Sequence, residues 1–150
     1  MRTLLVALWV VLACNSTFAG TLVSRAETAY IFSLNRHEWE TYATRVKHPP
    51  SWNVSLSSNQ TGTAVMAFDP ATGVGLSVQP LYQGNDSSPE SLIFGSYYPP
   101  GTLPAFTSGL QHDTEEQVRE DLGSQYSVVA SYGRHPFGEG VELTIQKSTP

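Results

Sequence analysis

Residues 63–79 read TAVMAFDPATGVGLSVQ, two apolar runs (Thr63 to Phe68 and Val74 to Gln79) joined by Asp69-Pro70-Ala71-Thr72-Gly73. The joint is a turn by its chemistry. Asp69 can accept backbone N–H groups, Pro70 presets its own φ, and Gly73 tolerates the left-handed conformation that closes a short β-loop. An antiparallel hairpin follows. Upstream, Trp52, Val54 and Leu56 alternate with polar residues. Downstream, Tyr126, Val128, Ala130 and Tyr132 alternate, as do Val141, Leu143 and Ile145, across a connection from Gly133 to Gly140. Period-two spacing marks half-buried strands, so a second hairpin closes the chain.

Helices are expected where caps occur. Asp113 and Glu116 have capping-box spacing, Glu115 and Arg119 stand four apart, Val118 and Leu122 form an apolar stripe, and Gly123 offers a C-terminal stop, which predicts a helix over 113–122. Ser88-Pro89-Glu90 supplies an N-cap hydroxyl and a proline at the first helical position, and predicts a second short helix ending at Gly95. Ser24 and Glu27 also have cap spacing, but Tyr30-Ile31-Phe32 favours a strand, and strand is the reading preferred for 24–40. The fold class is α+β, an antiparallel sheet with helices packed on it.

At the N-terminus, Arg2 precedes an apolar run from Leu4 to Ala13, and small residues follow through Ala19 and Gly20. A bilayer-spanning helix needs about twenty apolar residues, so this shorter run reads as a secretory signal peptide over residues 1–19. The protein is then secreted or periplasmic, with residues 20–150 as one domain and no transmembrane segment in the mature chain. A cut before Cys14, at an imperfect lipoprotein box, is the alternative and would anchor the chain by lipid. Cys14 is the sole cysteine. A mature chain starting at Gly20 therefore has no disulfide and no cysteine nucleophile. It carries 7 basic and 13 acidic residues, and residues 51–150 hold only Arg119, Arg134 and Lys147 as cations. Phosphate backbones and anionic lipid are bound by clustered Lys and Arg, so nucleic acid is not expected as a partner and bare membrane is a poor one.

The stretch Trp39-Glu40-Thr41-Tyr42, then His48-Pro49-Pro50-Ser51-Trp52, resembles the opening of PsbP-like domains, in which an aromatic strand runs into a proline corner. The succeeding order of hairpin, helix at Pro89, helix at 113–122 and terminal hairpin extends the resemblance over residues 39–146. It implies an α-β-α sandwich and a non-catalytic accessory or assembly role. Independently of any family, two prolines fix φ and withhold ladder donors, so the chain must turn and Trp52 can return as a core anchor. Trp39 is open to a contact role.

Four of the five asparagines lie in N-x-[ST] sequons, at Asn15, Asn53, Asn59 and Asn85. The last three fall in the mature chain and are candidate glycosylation sites; Asn and Ser also gather in turns for conformational reasons. No G-x-S-x-G, P-loop, H-E-x-x-H or G-x-G-x-x-G motif occurs. His112, Asp113 and Glu116 form a weak metal-ligand set, since the last two already serve as cap residues and their charge suits a helix N-terminus. His37 with Glu38 and Glu40 reads as a solvated turn, and His135-Pro136 as surface in a Gly-rich loop. No cofactor is implied.

Residues 95–109 carry Tyr97, Tyr98, Pro99, Pro100, Leu103, Pro104 and Phe106 without a charge. Such a loop either binds a partner or covers a sheet edge. Tyr97, Tyr98 and Phe106 are the candidate partner-binding residues. The expectation is a monomeric, non-catalytic binding or assembly protein with a protein partner; the alternatives are an N-glycosylated surface-contact protein and an extracytoplasmic hydrolase.

Overall fold

A computed structural model describes residues 25–46, 48, 50–101 and 108–149; residues 1–19, expected to be a signal peptide, Cys14 and Phe106 lie outside the described residues. Element order is α1 (Arg25–Phe32), α2 (Arg36–Ala43), β1 (Asn53–Ser58), β2 (Thr63–Asp69), β3 (Val74–Leu81), β4 (Ser91–Tyr98), α3 (Ser108–Leu122), β5 (Tyr126–His135) and β6 (Gly138–Lys147). The strands form one six-stranded sheet in the order β1-β2-β3-β4-β6-β5, with every pair antiparallel. β6 thus inserts between β4 and β5, and leaves β1 and β5 as the edges. No helix among the described residues is long and apolar enough to cross a membrane.

The hairpin at 63–79 forms as its turn chemistry requires. Asp69 Oδ1 accepts from the Ala71 amide at 3.0 Å and Oδ2 from the Thr72 hydroxyl at 2.7 Å, while Gly73 takes φ +72°. Alternation then sorts the sheet into two faces. One cross-strand row runs Leu56, Val65, Val78, Phe94, Leu143, Ala130. Most of that face is core, packed against Ile31 and Phe32 of α1, Trp39 and Ala43 of α2, and Val118 and Leu122 of α3. All three helices lie on this side. The described residues therefore build two layers, a helical layer and a sheet, and the opposite face of the sheet is open.

Four expectations about these elements are corrected. Residues 24–40 are not a strand: α1 and α2 occupy 25–32 and 36–43. A strand would send Ile31 and Phe32 to opposite sides, whereas a helix buries both in one core, and Asn35 builds a full capping box with Glu38, Oδ1 accepting from the Glu38 amide at 2.9 Å and the Glu38 carboxylate from the Asn35 amide at 2.8 Å. The short helix expected after Pro89 is strand β4, because pairing on both sides, with β3 and β6, outweighs the local cap signal. Helix α3 starts at Ser108 rather than 113, which places Asp113 and Glu116 inside the helix and ends their reading as caps. The terminal hairpin is also tighter than expected, with β5 and β6 continuing to His135 and Gly138.

Trp39 is a core residue, 1% exposed, whose indole Nε1 donates to the Thr63 carbonyl at 2.7 Å. Trp52 is buried where the chain enters β1.

Candidate functional site on the open sheet face

The open face is organised by glycines. Its row nearest the Asp69–Gly73 turn runs Asn53, Phe68, Gly75, Tyr97, Gly140, Gly133, and the next row runs Ser55, Met66, Ser77, Gly95, Glu142, Ser131. Missing side chains at Gly75 and Gly95 leave a trough, and Tyr97 fills part of it; at Gly140 a Cβ would collide with the Ser96 carbonyl of β4, so that glycine is required by close strand approach. Its ring lies down along β4 over Gly95: a Cβ added at Gly95 would stand 2.2 Å from the Tyr97 hydroxyl oxygen and 2.5 Å from Ser77 Oγ. An aromatic ring laid over glycine covers the backbone that the absent side chain would have shielded.

The tyrosine hydroxyl ends in a polar chain. It donates to Glu142 Oε1 at 2.7 Å and lies 3.1 Å from Ser77 Oγ. Glu142 Oε2 stands 3.4 Å from His135 Nδ1, and His135 Nε2 stands 3.0 Å from the Ser131 carbonyl. Burial pushes the Tyr97 phenol well above its ordinary pKa; the Ser77 contact opposes this, and the Glu142 hydrogen bond and charge add to it. Tyr97 therefore stays a neutral donor and acts as a fixed floor.

Beside it lies a groove of about 460 Å³, floored by Gly73, Gly75 and Gly138 and bounded by Met66, Phe68, Pro99, Pro100 and Phe137. None of its lining residues is charged. Phe68 is 46% and Phe137 37% exposed, so two aromatic rings border the groove with area still in water. Pro99 is set close by Gly73, where a Cβ would come within 2.8 Å of the proline Cγ.

Tyr97 and Tyr98, expected in a loop, are strand residues of β4; both line the groove, with Tyr97 buried and Tyr98 half-buried. Phe106 lies outside the described residues. The rings that remain exposed, Phe68 and Phe137, were not singled out from sequence, although Phe137 between Pro136 and Gly138 has the look of a displayed hairpin tip. His112 and Glu116 pair with each other at 3.5 Å on the exposed side of α3, and the Asp113 side chain lies outside the described residues. No group of three metal-ligating side chains is found among the described residues. His37 is exposed on α2 rather than in a turn, Glu38 serves the cap, and Glu40 pairs with Arg36 at 3.1 Å.

Asn53, Asn59 and Asn85 are all exposed. Asn53 opens β1 and lines the groove. Asn59 sits in the β1–β2 turn, where its Oδ1 accepts from the Thr61 amide, the Thr61 hydroxyl and the Gly62 amide at 2.9, 2.7 and 3.1 Å. The guanidinium of Arg36 clamps that turn through the Asn59 and Gln60 carbonyls.

No protein-family model matches this chain, and no match is found among curated proteins or solved structures.

Proposed function

We propose that this is an extracytoplasmic, non-catalytic binding protein whose open-face groove takes an uncharged, extended segment of a partner protein. The observation that carries the reading is the groove itself: exposed Phe68 and Phe137 border a glycine-floored trough without a charged lining residue. Aromatic area removed from water supplies most hot-spot energy, and a charged ligand would be desolvated there without a partner. Glu142 and His135, the carboxylate and histidine that converge on this face, are not among the groove's lining residues, which favours binding over hydrolysis. A PsbP-like ancestry, with its accessory role, belongs to the same proposal, as does export by the signal peptide. Intact mass of the exported chain is expected to begin at Gly20; a lipidated chain beginning at Cys14 would replace that reading with the anchored one.

The test is fluorescence anisotropy against a library of labelled, uncharged eight-residue peptides rich in proline and aromatics. Replacing Phe68 and Phe137 together by Ser is expected to weaken the best binder by roughly tenfold or more, with unchanged circular dichroism, since hot-spot truncations cost ~2 kcal/mol. Binding indifferent to both substitutions would remove the groove as the site.

A second reading is supported by the exposure of all three mature sequons: the protein is N-glycosylated, and since Asn53 lines the groove, a glycan there would share that space with a bound segment.

A further inference from the structure

A strand at the end of a sheet presents unpaired N–H and C=O groups, and proteins blunt such edges with Lys, Pro, a bulge or a covering element. On β5, α3 engages two outward main-chain groups: Glu115 Oε1 accepts from the Ala130 amide at 2.9 Å, and the Arg119 guanidinium donates to the Val128 carbonyl at 3.4 Å. β1 shows none of these devices among the described residues. It pairs with β2 in unbroken register from Asn53 to Ser58, its sequence NVSLSS contains no charge and no proline, and no strand among the described residues lies on its outer side. Leu56 at its middle is 45% exposed.

What stands at the two ends of β1 is a pair of sequons. Asn53 is the first residue of the strand and Asn59 the first beyond it. We infer that N-linked glycans on Asn53 and Asn59 guard the β1 edge against pairing with β1 of a second copy of this chain. The inference rests on the glycosylation reading above and gives that modification a role. An uncharged strand has no like-charge repulsion against its own copy, and two antiparallel β1 strands related by a two-fold axis would satisfy both edges at once. A hydrated glycan at each end denies that approach. In the transfer, the Asn Nδ2 loses a proton and bonds to the sugar C1 of a lipid-pyrophosphate-linked oligosaccharide, whose C1–O bond breaks, its electron pair leaving with the pyrophosphate carrier. At Asn59 the contacts of the side chain all fall on Oδ1, so the nitrogen to be modified is outside the network that shapes the turn.

The test uses the full chain secreted from eukaryotic cells, beside a Ser55→Ala, Thr61→Val variant that removes both sequons and keeps both asparagines. Intact mass before and after enzymatic glycan removal reads occupancy, and light scattering at matched concentration reads assembly. The wild type is expected to carry glycans at Asn53 and Asn59 and to be a monomer. The variant's mass should double, and adding Leu56→Lys should return it to the monomer. Trimming glycans from the folded wild type gives the same comparison without substitution. A trimmed chain or variant that stays monomeric, or one whose association ignores Leu56→Lys, overturns the guarding role. Bare Asn53 and Asn59 in the wild type would instead overturn the glycosylation reading itself.

Discussion

The two edges of this sheet meet the same physical problem with different means. At β5 a helix lies alongside and lends side chains, Glu115 to an amide and Arg119 to a carbonyl, so two outward groups at the middle of the exposed ladder are satisfied within the fold. At β1 no strand among the described residues supplies such cover, and the strand carries no charge of its own. Covering an edge from within requires a neighbouring element with the right side chains in reach. Under the proposal, glycans on the two sequons that bracket β1 supply from outside the polypeptide what α3 supplies at β5.

The comparison is first sharpened by asking what holds α2 against the β1 side. Trp39 is buried under β2 and donates to the Thr63 carbonyl, so Trp39→Ala is expected to cost ~3–5 kcal/mol in denaturant unfolding, from lost packing and an orphaned carbonyl together. Trp39→Phe, which keeps most of the ring area, should cost distinctly less. A loss below ~1 kcal/mol for the alanine variant would mean that α2 is only loosely docked.

The covered edge can be uncovered. Glu115→Ala removes the acceptor for the Ala130 amide and is expected to cost ~1–3 kcal/mol, while Glu115→Gln retains a carbonyl acceptor and should recover part of the loss. Hydrogen exchange at Ala130 checks the mechanism. Unchanged protection there in the alanine variant would show that the helix backbone, and not this carboxylate, shields β5.

A pH scan reaches both halves of the molecule. Burial raises the Tyr42 phenol to about 12, with Tyr30 and Glu27 adding to the shift, and pushes Tyr82 up on the same side of the sheet. Burial likewise raises Tyr97 on the open face and Tyr132 on β5, where Tyr132 also hydrogen-bonds Thr114 of α3. The unfolded chain releases these protons near pH 10 and the folded chain only above it. The stability held by the neutral phenols is therefore complete below about pH 10 and declines as pH rises through the folded values. Denaturation midpoints should fall above pH 10, in step with tyrosine ionisation by ultraviolet difference spectra. A flat profile to pH 11 would argue against their burial.

The smallest effect is expected at Leu56. Leu56→Lys in the secreted chain should change stability by less than ~0.5 kcal/mol, because the side chain is already 45% exposed and a lysine stem can keep its apolar contacts while the ammonium reaches water.

How much of this was legible in the sequence follows from the range of each interaction. The Asp69–Gly73 turn was readable because its hydrogen bonds close within a few residues. So were the strands on either side, and the terminal hairpin. The Asn35–Glu38 capping box is equally local, but the aromatic run at 30–32 carries a competing strand propensity that only the packing of Ile31 and Phe32 into one core resolves. β4 was misread for the opposite reason: Ser88-Pro89 is a genuine local signal for helix, and only pairing with β3 and β6 overrides it. The alternation of Ile93, Gly95 and Tyr97 with Leu92, Phe94 and Ser96 was the available clue. The uncharged aromatic segment was recognised as a candidate site, yet which rings face water depended on Tyr97 lying down over Gly95. That arrangement, like the Glu115 bond to Ala130 fifteen residues away, belongs to tertiary structure.

The edge comparison is tested most directly by residue-resolved hydrogen exchange on the secreted chain before and after its glycans are trimmed. The account predicts that the Ala130 amide is protected in both states, whereas the outward amides of β1 exchange rapidly in the glycosylated monomer and become protected once trimming lets two β1 strands pair. Identical exchange along β1 in both states would contradict it.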